Sequence, residues 1–263
     1  MREDSDRSLN KPAGDNLLLE GRKAVLEVLN HEKPMDRVYL RRDKDKPLEG
    51  TLRVISAKAR EAGIVVREVD RAKLDEISES GHHQGVIAIC PAKAYVSIEE
   101  MLEIAKNKGE VPFLVILDGI TDPHNLGAII RSAEAGGAHG VIIPKRRAAG
   151  LTGVVAKTSA GAIEHMPVAQ VTNIARTIDE LKKEGIWIAC ADLGGTDYFK
   201  CDLSGPIALL IGAEGEGVSR LATDKSDFLV KIPMLGHIKA LNASVAAGVL
   251  IYEVVRARLS PKV

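Results

Sequence analysis

"LLIGAEGEGVSRL" (residues 209–221) decides how this chain is read. An apolar run from Ala208 to Ile211 enters three glycines, at 212, 215 and 217, and a polar segment follows. A strand apolar at every position is buried on both faces, as in a parallel sheet. A glycine turn at its C-terminal end lies where open α/β sheets hold ligands. The glycine order departs from GxGxxG and no GK[ST] follows, so neither phosphate-binding fingerprint is present. Glu214 and Glu216 stand between the glycines, where they disfavour a phosphate. By itself the stretch is either a loop around a neutral or cationic ligand, or a tight turn with its glutamates in solvent.

Outward from this strand, "PFLVILDG" (112–119), "GVIIP" (140–144), "WIACAD" (187–192) and "FLVKIP" (228–233) are further buried-strand candidates. Helical stretches lie between them, and "ALNASVAAGVLIYEVVRARL" (240–259) predicts a C-terminal helix. Short apolar runs separated by helices indicate an α/β fold with a parallel sheet covered on both faces. A smaller α/β unit precedes it over residues 16–90. There "LLLEGRKAVLEVLN" (17–30) predicts a helix and "RVYL" (37–40) a strand. "TLRVISAKAREAG" (51–63) predicts a helix stopped by Gly63, followed by a strand (64–69), a helix at "RAKLDEIS" and a buried strand at "GVIAIC" (85–90). Residues 1–15 are expected to be a disordered tail. Residues 91–110 are expected to be a linker carrying a helix on which the first unit swings, and 111–263 the larger domain.

Basic and acidic side chains are equal in number, 36 each, and residues 1–93 carry 18 basic and 17 acidic groups. Whole-domain charge therefore attracts no polyanion, and only local patches can. Two exist: Arg37, Tyr39, Arg41, Arg42 and Lys44 in "RVYLRRDK", and Lys145, Arg146 and Arg147 in "PKRRAAG". Cys90, Cys190 and Cys201 have neither zinc-site spacing nor a disulfide framework, and no metal is expected. The charged N-terminus lacks a leader-like apolar core, and no apolar run approaches the ~20 residues of a membrane span. A reduced, cytosolic protein is expected. His82 and His83 offer stacking or hydrogen bonds to a nucleic acid, or a purely structural role.

Two more stretches carry chemistry at strand ends. In "LDGITDPHNLGAIIRSAEAGGAHGVIIP" (117–144), Asn125 is a candidate helix N-cap and Gly127 permits close backbone approach. Arg131 is expected about a turn and a half into the helix, reaching the cleft or lying on a solvated face. In "KIPMLGHIKALNASVAAGVLIYEVV" (231–255), Pro233 and Gly236 end a strand in an irregular loop. Asn242 and Ser244 precede a helix whose small residues (Ala243, Ala246, Ala247, Gly248) allow tight packing, a partner subunit included. A ligand suited to the acidic glycine loop is S-adenosylmethionine, with its sulfonium near a carboxylate.

Together, in this order, "DPHNLGAIIR", "IGAEGEGVS" and "IPMLGHIKALNASVA" resemble the three motifs of the SpoU (TrmH) family of RNA ribose 2′-O-methyltransferases, within the SPOUT superfamily. The resemblance covers roughly residues 112–258. The first unit, ending in "GHHQGVIA" (81–88), resembles the small αβα RNA-binding domain of the subgroup that methylates a guanosine of large-subunit (23S) ribosomal RNA. The resemblance implies a deep C-terminal trefoil knot, an exception to un-knotted topology, and a homodimer formed through the catalytic domain. It implies S-adenosylmethionine as cofactor, with Gly212, Ile232 and Leu241 at contact positions and Gly217, Gly236 and Ser244 around them. Asn125 and Asn242 then orient the ribose, Glu214 shapes the site, and Arg131 is central. An arginine is a poor base because its pKa exceeds about 12, so Arg131 is expected to bind a phosphate and stabilise the developing alkoxide. Arg37, Arg41, Arg42, Lys145 and Arg146 are the expected RNA contacts. One departure is Ala240, where many relatives carry serine. Transfer-RNA methylation and a non-catalytic RNA-binding role in ribosome assembly are the alternatives.

Overall fold

The computed structural model of the chain describes residues 17–31, 34–42, 47–78, 80–91 and 93–259. The expected tail at 1–15 and Lys44 lie outside them. The described residues divide into two compact units, one up to Ala94 and one comprising Tyr95–Gly150 and Val155 onward.

The first unit runs β1 (Leu17–Glu20), α1 (Arg22–Asn30), β2 (Arg37–Arg41), α2 (Gly50–Glu61), β3 (Val65–Val69), α3 (Arg71–Ile77) and β4 (Val86–Cys90). Its sheet order is β1-β4-β2-β3. β2 and β4 are buried on both faces, and alternate residues serve different layers. Val38, Leu40, Val86 and Ala88 pack under α1 and α2, whereas Tyr39, Ile87 and Ile89 pack under Leu74 and Ile77 of α3. The result is the expected αβα sandwich. One element differs: residues 17–20, expected as the start of a helix, form β1 antiparallel to β4. Gly21, at φ 94, breaks the chain direction before α1, and pairing with β4 overrides a local pattern that suits either element.

The second unit runs α4 (Ile98–Lys108), β5 (Phe113–Asp118), α5 (Pro123–Ala135), β6 (Gly140–Pro144), α6 (Gly153–Thr158), β7 (Val168–Val171), α7 (Ile174–Lys183), β8 (Trp187–Asp197), β9 (Ile207–Gly212), α8 (Arg220–Lys225), β10 (Phe228–Lys231) and α9 (Ala243–Leu259). All its strand pairs are parallel, in the order β10-β8-β9-β5-β6-β7. One face of the sheet packs Leu114, Ile116, Ile188 and Leu210 against Met101 of α4 and Ile178 and Leu181 of α7. The other lies under α5 and α9, which approach so closely that a Cβ on Gly136 would sit 2.5 Å from the Ile251 side chain. α4 is thus a packed layer of this unit rather than part of a connector over 91–110. Ser97 and Glu100 form a capping box at its start, and Met101 and Ala105 are buried.

The chain lays down β5, β6 and β7 in one direction and then restarts with β8 on the far side of β9. The strand order therefore reverses between β5 and β9, where Asp118 pairs with Gly212. Open parallel sheets place ligands at the carboxyl ends of strands flanking such a reversal.

Candidate active site

Gly212 ends β9 at that point. A Cβ there would lie 2.1 Å from the carbonyl carbon of Gly217 and 2.3 Å from the Val218 nitrogen. Only glycine admits the returning backbone. Gly215 and Gly217 take φ 82 and 70, and Gly217 N–H donates to the Ala213 carbonyl at 2.9 Å. Ser219 N–H donates to Asp118 Oδ2 at 2.9 Å, tying the turn to β5. The glycine stretch is a tight turn, with the two glutamates differently employed.

Oε1 of Glu214 accepts hydrogen bonds from Asn125 Nδ2 at 3.1 Å, from the Ala243 backbone N–H at 3.1 Å, and from Asn242 Nδ2. Asn242 Nδ2 also donates to Asn125 Oδ1 at 3.0 Å. Its own Oδ1 accepts from Ser244 N–H, Val245 N–H and Ser244 Oγ, so Asn242 caps α9. A carboxylate at the start of this 17-residue helix meets its unpaired amides and positive end. Three distant pieces of sequence thus converge on one carboxylate oxygen.

Glu214 and its neighbours Ala213 and Ala243 line two cavities. The larger, about 330 Å³, is lined by Gly212, Gly217, Ile232 and Leu241 from the expected set. Leu193, Met234 and Leu250 add apolar wall, and Asp192 and Glu216 add acidic groups. Leu193 and Asp192 belong to an outward excursion of β8: β10 pairs Leu229 with Cys190 and the next residue, Val230, with Thr196. The pair Gly194–Gly195 is the sequence signal for it, since a Cβ on Gly195 would meet the Leu229 carbonyl carbon at 2.5 Å. The smaller cavity, about 310 Å³, is lined by Gly119, Thr121, Asp122, Asn125 and Asn242.

Several expectations change at residue level. Asn125 is not the cap of α5. Asp122 is, accepting His124 N–H at 2.9 Å with Pro123 as the first helical residue, which frees the Asn125 amide for Glu214. Arg131 is the ninth residue of α5, beyond two turns, and on a helix it points about 120° away from Asn125. It is exposed and lines neither cavity. Gly127 is approached by the chain itself, for a Cβ there would be 2.7 Å from Thr158 Cβ. Neither Ser244 nor Gly236 lines the larger cavity.

The basic residues Lys145–Arg147 line neither cavity: Lys145 N–H donates to the Val171 carbonyl of β7, and the chain reaches the smaller cavity's edge only at Ala149, whose N–H donates to the Ile120 carbonyl. In the first unit Arg37 is inward-facing: it stacks over Tyr39, 5.9 Å from the ring centre, and its Nε is buried. Arg42 is paired with Glu68. Arg41 lines a separate hollow. His83 is buried, accepting Gly85 N–H on Nδ1 and facing Asp75 through Nε2, both at 3.0 Å.

The chemistry allowed is narrow. Burial pushes the Cys190 thiol up to about 11, so it is no nucleophile at neutral pH. Among the described residues no cluster suits a metal ion, and no helix is long and apolar enough to cross a membrane. The larger cavity pairs apolar walls with carboxylates and falls within the usual ligand-site range of about 300–1,000 Å³. Its lining sets Asp192, Glu214 and Glu216 against Lys231, a net negative charge that disfavours a phosphate and favours a ligand with a cationic centre.

This is a two-unit α/β protein with a ligand site at the switch point of a parallel sheet. Residues 112–252 match the model of the SpoU rRNA methylase family, and 18–96 match that of the RNA 2′-O-ribose methyltransferase substrate-binding domain. YacO of Bacillus subtilis, named as a TrmH family tRNA/rRNA methyltransferase, is 46% identical over 239 residues, which is 90% of this chain and 94% of YacO. A Staphylococcus haemolyticus protein named alike is 44% identical over 93% of this chain and 97% of its own. Among solved structures, the SpoU methyltransferase AviRb of Streptomyces viridochromogenes with AdoMet aligns at TM-score 0.58 and 26% identity, covering 94% of this chain and 92% of AviRb. An AdoMet-bound rRNA methyltransferase of Sinorhizobium meliloti aligns at 0.57 and 25% identity, covering 92% and 88%. The chain belongs to the SpoU rRNA methylase family. It is an RNA 2′-O-ribose methyltransferase that uses S-adenosylmethionine.

Proposed function

We propose that the chain methylates the 2′-hydroxyl of a guanosine in large-subunit ribosomal RNA. The observation that carries this reading is the carboxylate of Glu214, held by Asn125, Asn242 and Ala243 in the wall shared by two cavities. The larger cavity holds the cofactor, through Gly212, Gly217, Ile232 and Leu241 with Met234 and Leu193. S-adenosylmethionine, when bound, supplies an electrophilic methyl group and leaves as a neutral thioether. The smaller cavity takes the acceptor nucleotide, with Asn125 and Asn242 orienting its ribose. Positioning of this kind turns a bimolecular step into an effectively unimolecular one. Oε2 of Glu214, which has no donor among the described residues, takes the hydroxyl proton. Arg131, which lines neither cavity and whose exposed guanidinium has no partner among the described residues, binds a phosphate of the RNA strand outside the acceptor cavity. Lys145 and Arg146, in the loop after β6, neutralise phosphates farther along the strand.

The chain works in the cytoplasm as a homodimer. In support, Val245 and Tyr252, seven residues apart and on one face of α9, are 51% and 52% exposed. A sedimentation mass of one chain at micromolar concentration would sink the dimer. The C-terminal segment forms a trefoil knot, a reading supported by the chain's return from edge strand β10 to start α9 at Glu214. Pulling both ends in a force spectrometer should give a contour length short of the fully extended chain; full extension refutes the knot.

The deciding experiment is methyl transfer from isotope-labelled S-adenosylmethionine to large-subunit, small-subunit and transfer RNAs lacking native modification. Nucleoside mass spectrometry then locates the label. Label on one 2′-O-methylguanosine of the large-subunit RNA is expected. Label on transfer RNA alone, the other substrate in the relatives' names, overturns the substrate. No transfer to any RNA or assembling particle favours a binding factor.

A further inference from the structure

The wall of the larger cavity is glycine or apolar side chain except at four charged residues. Asp192, Glu214 and Glu216 are acidic and Lys231 is basic, so acidic groups exceed basic ones by two even with Lys231 counted in full. Lys231 is itself 3.6 Å from Asp197, a carboxylate that does not line the cavity.

The three carboxylates are held differently. Glu214 is committed through Oε1 to Asn125, Asn242 and Ala243. Asp192 is fixed by its own loop: Oδ1 accepts Gly194 N–H at 2.7 Å, and Oδ2 has no hydrogen bond among the described residues. Glu216 has neither a hydrogen bond nor an ion pair among them. Backbone alone sets its place, between Gly215 at φ 82 and Gly217 at φ 70. The β8 excursion and the β9 turn thus each bring to one apolar cavity a carboxylate without a cation of its own. Carboxylates beside apolar walls project their field into the space between, and a ligand that displaces the screening water feels it more strongly.

Methyl transfer changes the charge in such a site by one unit. The bond from the ribose 2′-oxygen to the methyl carbon forms as the carbon–sulfur bond breaks. The bonding pair stays on sulfur, and the hydroxyl proton passes to Glu214. The methyl donor is therefore a sulfonium cation and the spent product, S-adenosylhomocysteine, a neutral thioether. Apart from the methyl group, charge is what distinguishes the two.

We propose that Asp192 and Glu216 are selectivity residues that read the charge on the cofactor's sulfur, so that the site prefers the methyl donor to its product and product inhibition is limited. The proposal rests on the larger cavity holding the cofactor. The preference is made in binding rather than in the chemical step. Positive charge fades from sulfur in the transition state, so carboxylates that favour the cation favour the ground state at least as much.

The test is calorimetric binding of three ligands to the full chain: S-adenosylmethionine, S-adenosylhomocysteine and sinefungin, in which a carbon bearing an ammonium replaces the methylsulfonium. Wild type should bind the two cationic ligands more tightly than the neutral one, and the gap should narrow as salt rises. Asp192→Asn and Glu216→Gln keep the side-chain size and remove one charge each. Each should lower the ratio of S-adenosylmethionine to S-adenosylhomocysteine affinity by about threefold, and the pair by about tenfold. Inhibition of methyl transfer by S-adenosylhomocysteine should strengthen in step. Glu103→Gln, which removes an exposed carboxylate of α4 outside the cavity, should leave the ratio unchanged. Equal loss of both affinities in the cavity variants would make Asp192 and Glu216 supports of their loops, and an unchanged ratio would make them solvent-facing charges. Either result overturns the proposal. So does sinefungin binding that follows S-adenosylhomocysteine across the variants, because the site would then read the methyl group. The cavity assignment fails by a different result: a folded Gly212→Ala chain with wild-type affinity for all three ligands, which takes the proposal with it. An unchanged ratio in Glu216→Gln, beside a Gly212→Ala chain that binds all three weakly, overturns the proposal alone.

Discussion

Glu214 and Asn125 are joined by a 3.1 Å hydrogen bond across 89 residues of sequence. The bond fixes the end of the β9 turn against the first turn of α5, and Asn242 closes the triangle from the start of α9. Glu214→Gln keeps the size and one acceptor oxygen but replaces Oε2 with an amide NH2 group, a donor that cannot take a proton. Turnover on the RNA that the wild type methylates should fall by about 100-fold or more, at least tenfold more than cofactor affinity falls. Single-turnover rates beside calorimetric cofactor binding give both quantities, and equal losses in the two would mean that Glu214 serves the cofactor alone.

Arg131→Ala separates chemistry from folding. The side chain is exposed, so the melting curve should shift by no more than a surface substitution does, about 0.5 kcal/mol. Turnover at limiting RNA should drop by about tenfold or more, as when a phosphate contact is removed, with cofactor affinity nearly unchanged. A large loss of cofactor binding would remove Arg131 from its phosphate role.

Gly212→Ala tests the turn itself. The new methyl group would lie 2.1 to 2.4 Å from backbone atoms of Gly217 and Val218, which cannot rotate away as a side chain could. Overpacking of this sort costs about 1–3 kcal/mol, and the displaced residues line the larger cavity, proposed to hold the cofactor. A lowered melting temperature with cofactor affinity weakened by tenfold or more is expected. Wild-type affinity in a folded Gly212→Ala protein would contradict the assigned cavity.

Much of this was legible in the sequence because it depends on local rules. β5, β6 and β9 are apolar runs, and two of the three motif blocks follow β5 and β9, the strands that flank the switch point. What failed depended on distant partners. The run Leu17–Glu20 suits a helix locally and becomes a strand because β4 lies beside it. Asn125 looked like a cap, but Asp122, immediately before Pro123, takes that position. Whether the glutamates of the glycine turn faced in or out was open because the answer lay with Asn242 and the amide of Ala243. No local pattern showed that Arg22 and Arg71, 49 residues apart in number, share a hollow.

His139 gives the fold a pH dependence of known sign. The side chain is 1% exposed, its Nδ1 accepts Phe113 N–H at 3.0 Å and its Nε2 faces Glu110 at 2.9 Å. Burial lowers its pKa below the ordinary 6.5, although Glu110 pulls the other way. The unfolded chain then binds a proton at a higher pH than the folded one, so stability declines as pH falls. The contribution is intact above about 6.5, the unfolded value, and is lost from there down to the lower folded pKa. His139→Gln removes the titrating group, and its melting temperature should vary less than that of the wild type between pH 7 and 5. The variant starts lower at pH 7, because the Phe113 amide at the start of β5 loses its ring acceptor. Parallel curves for the two proteins would place the pH dependence elsewhere.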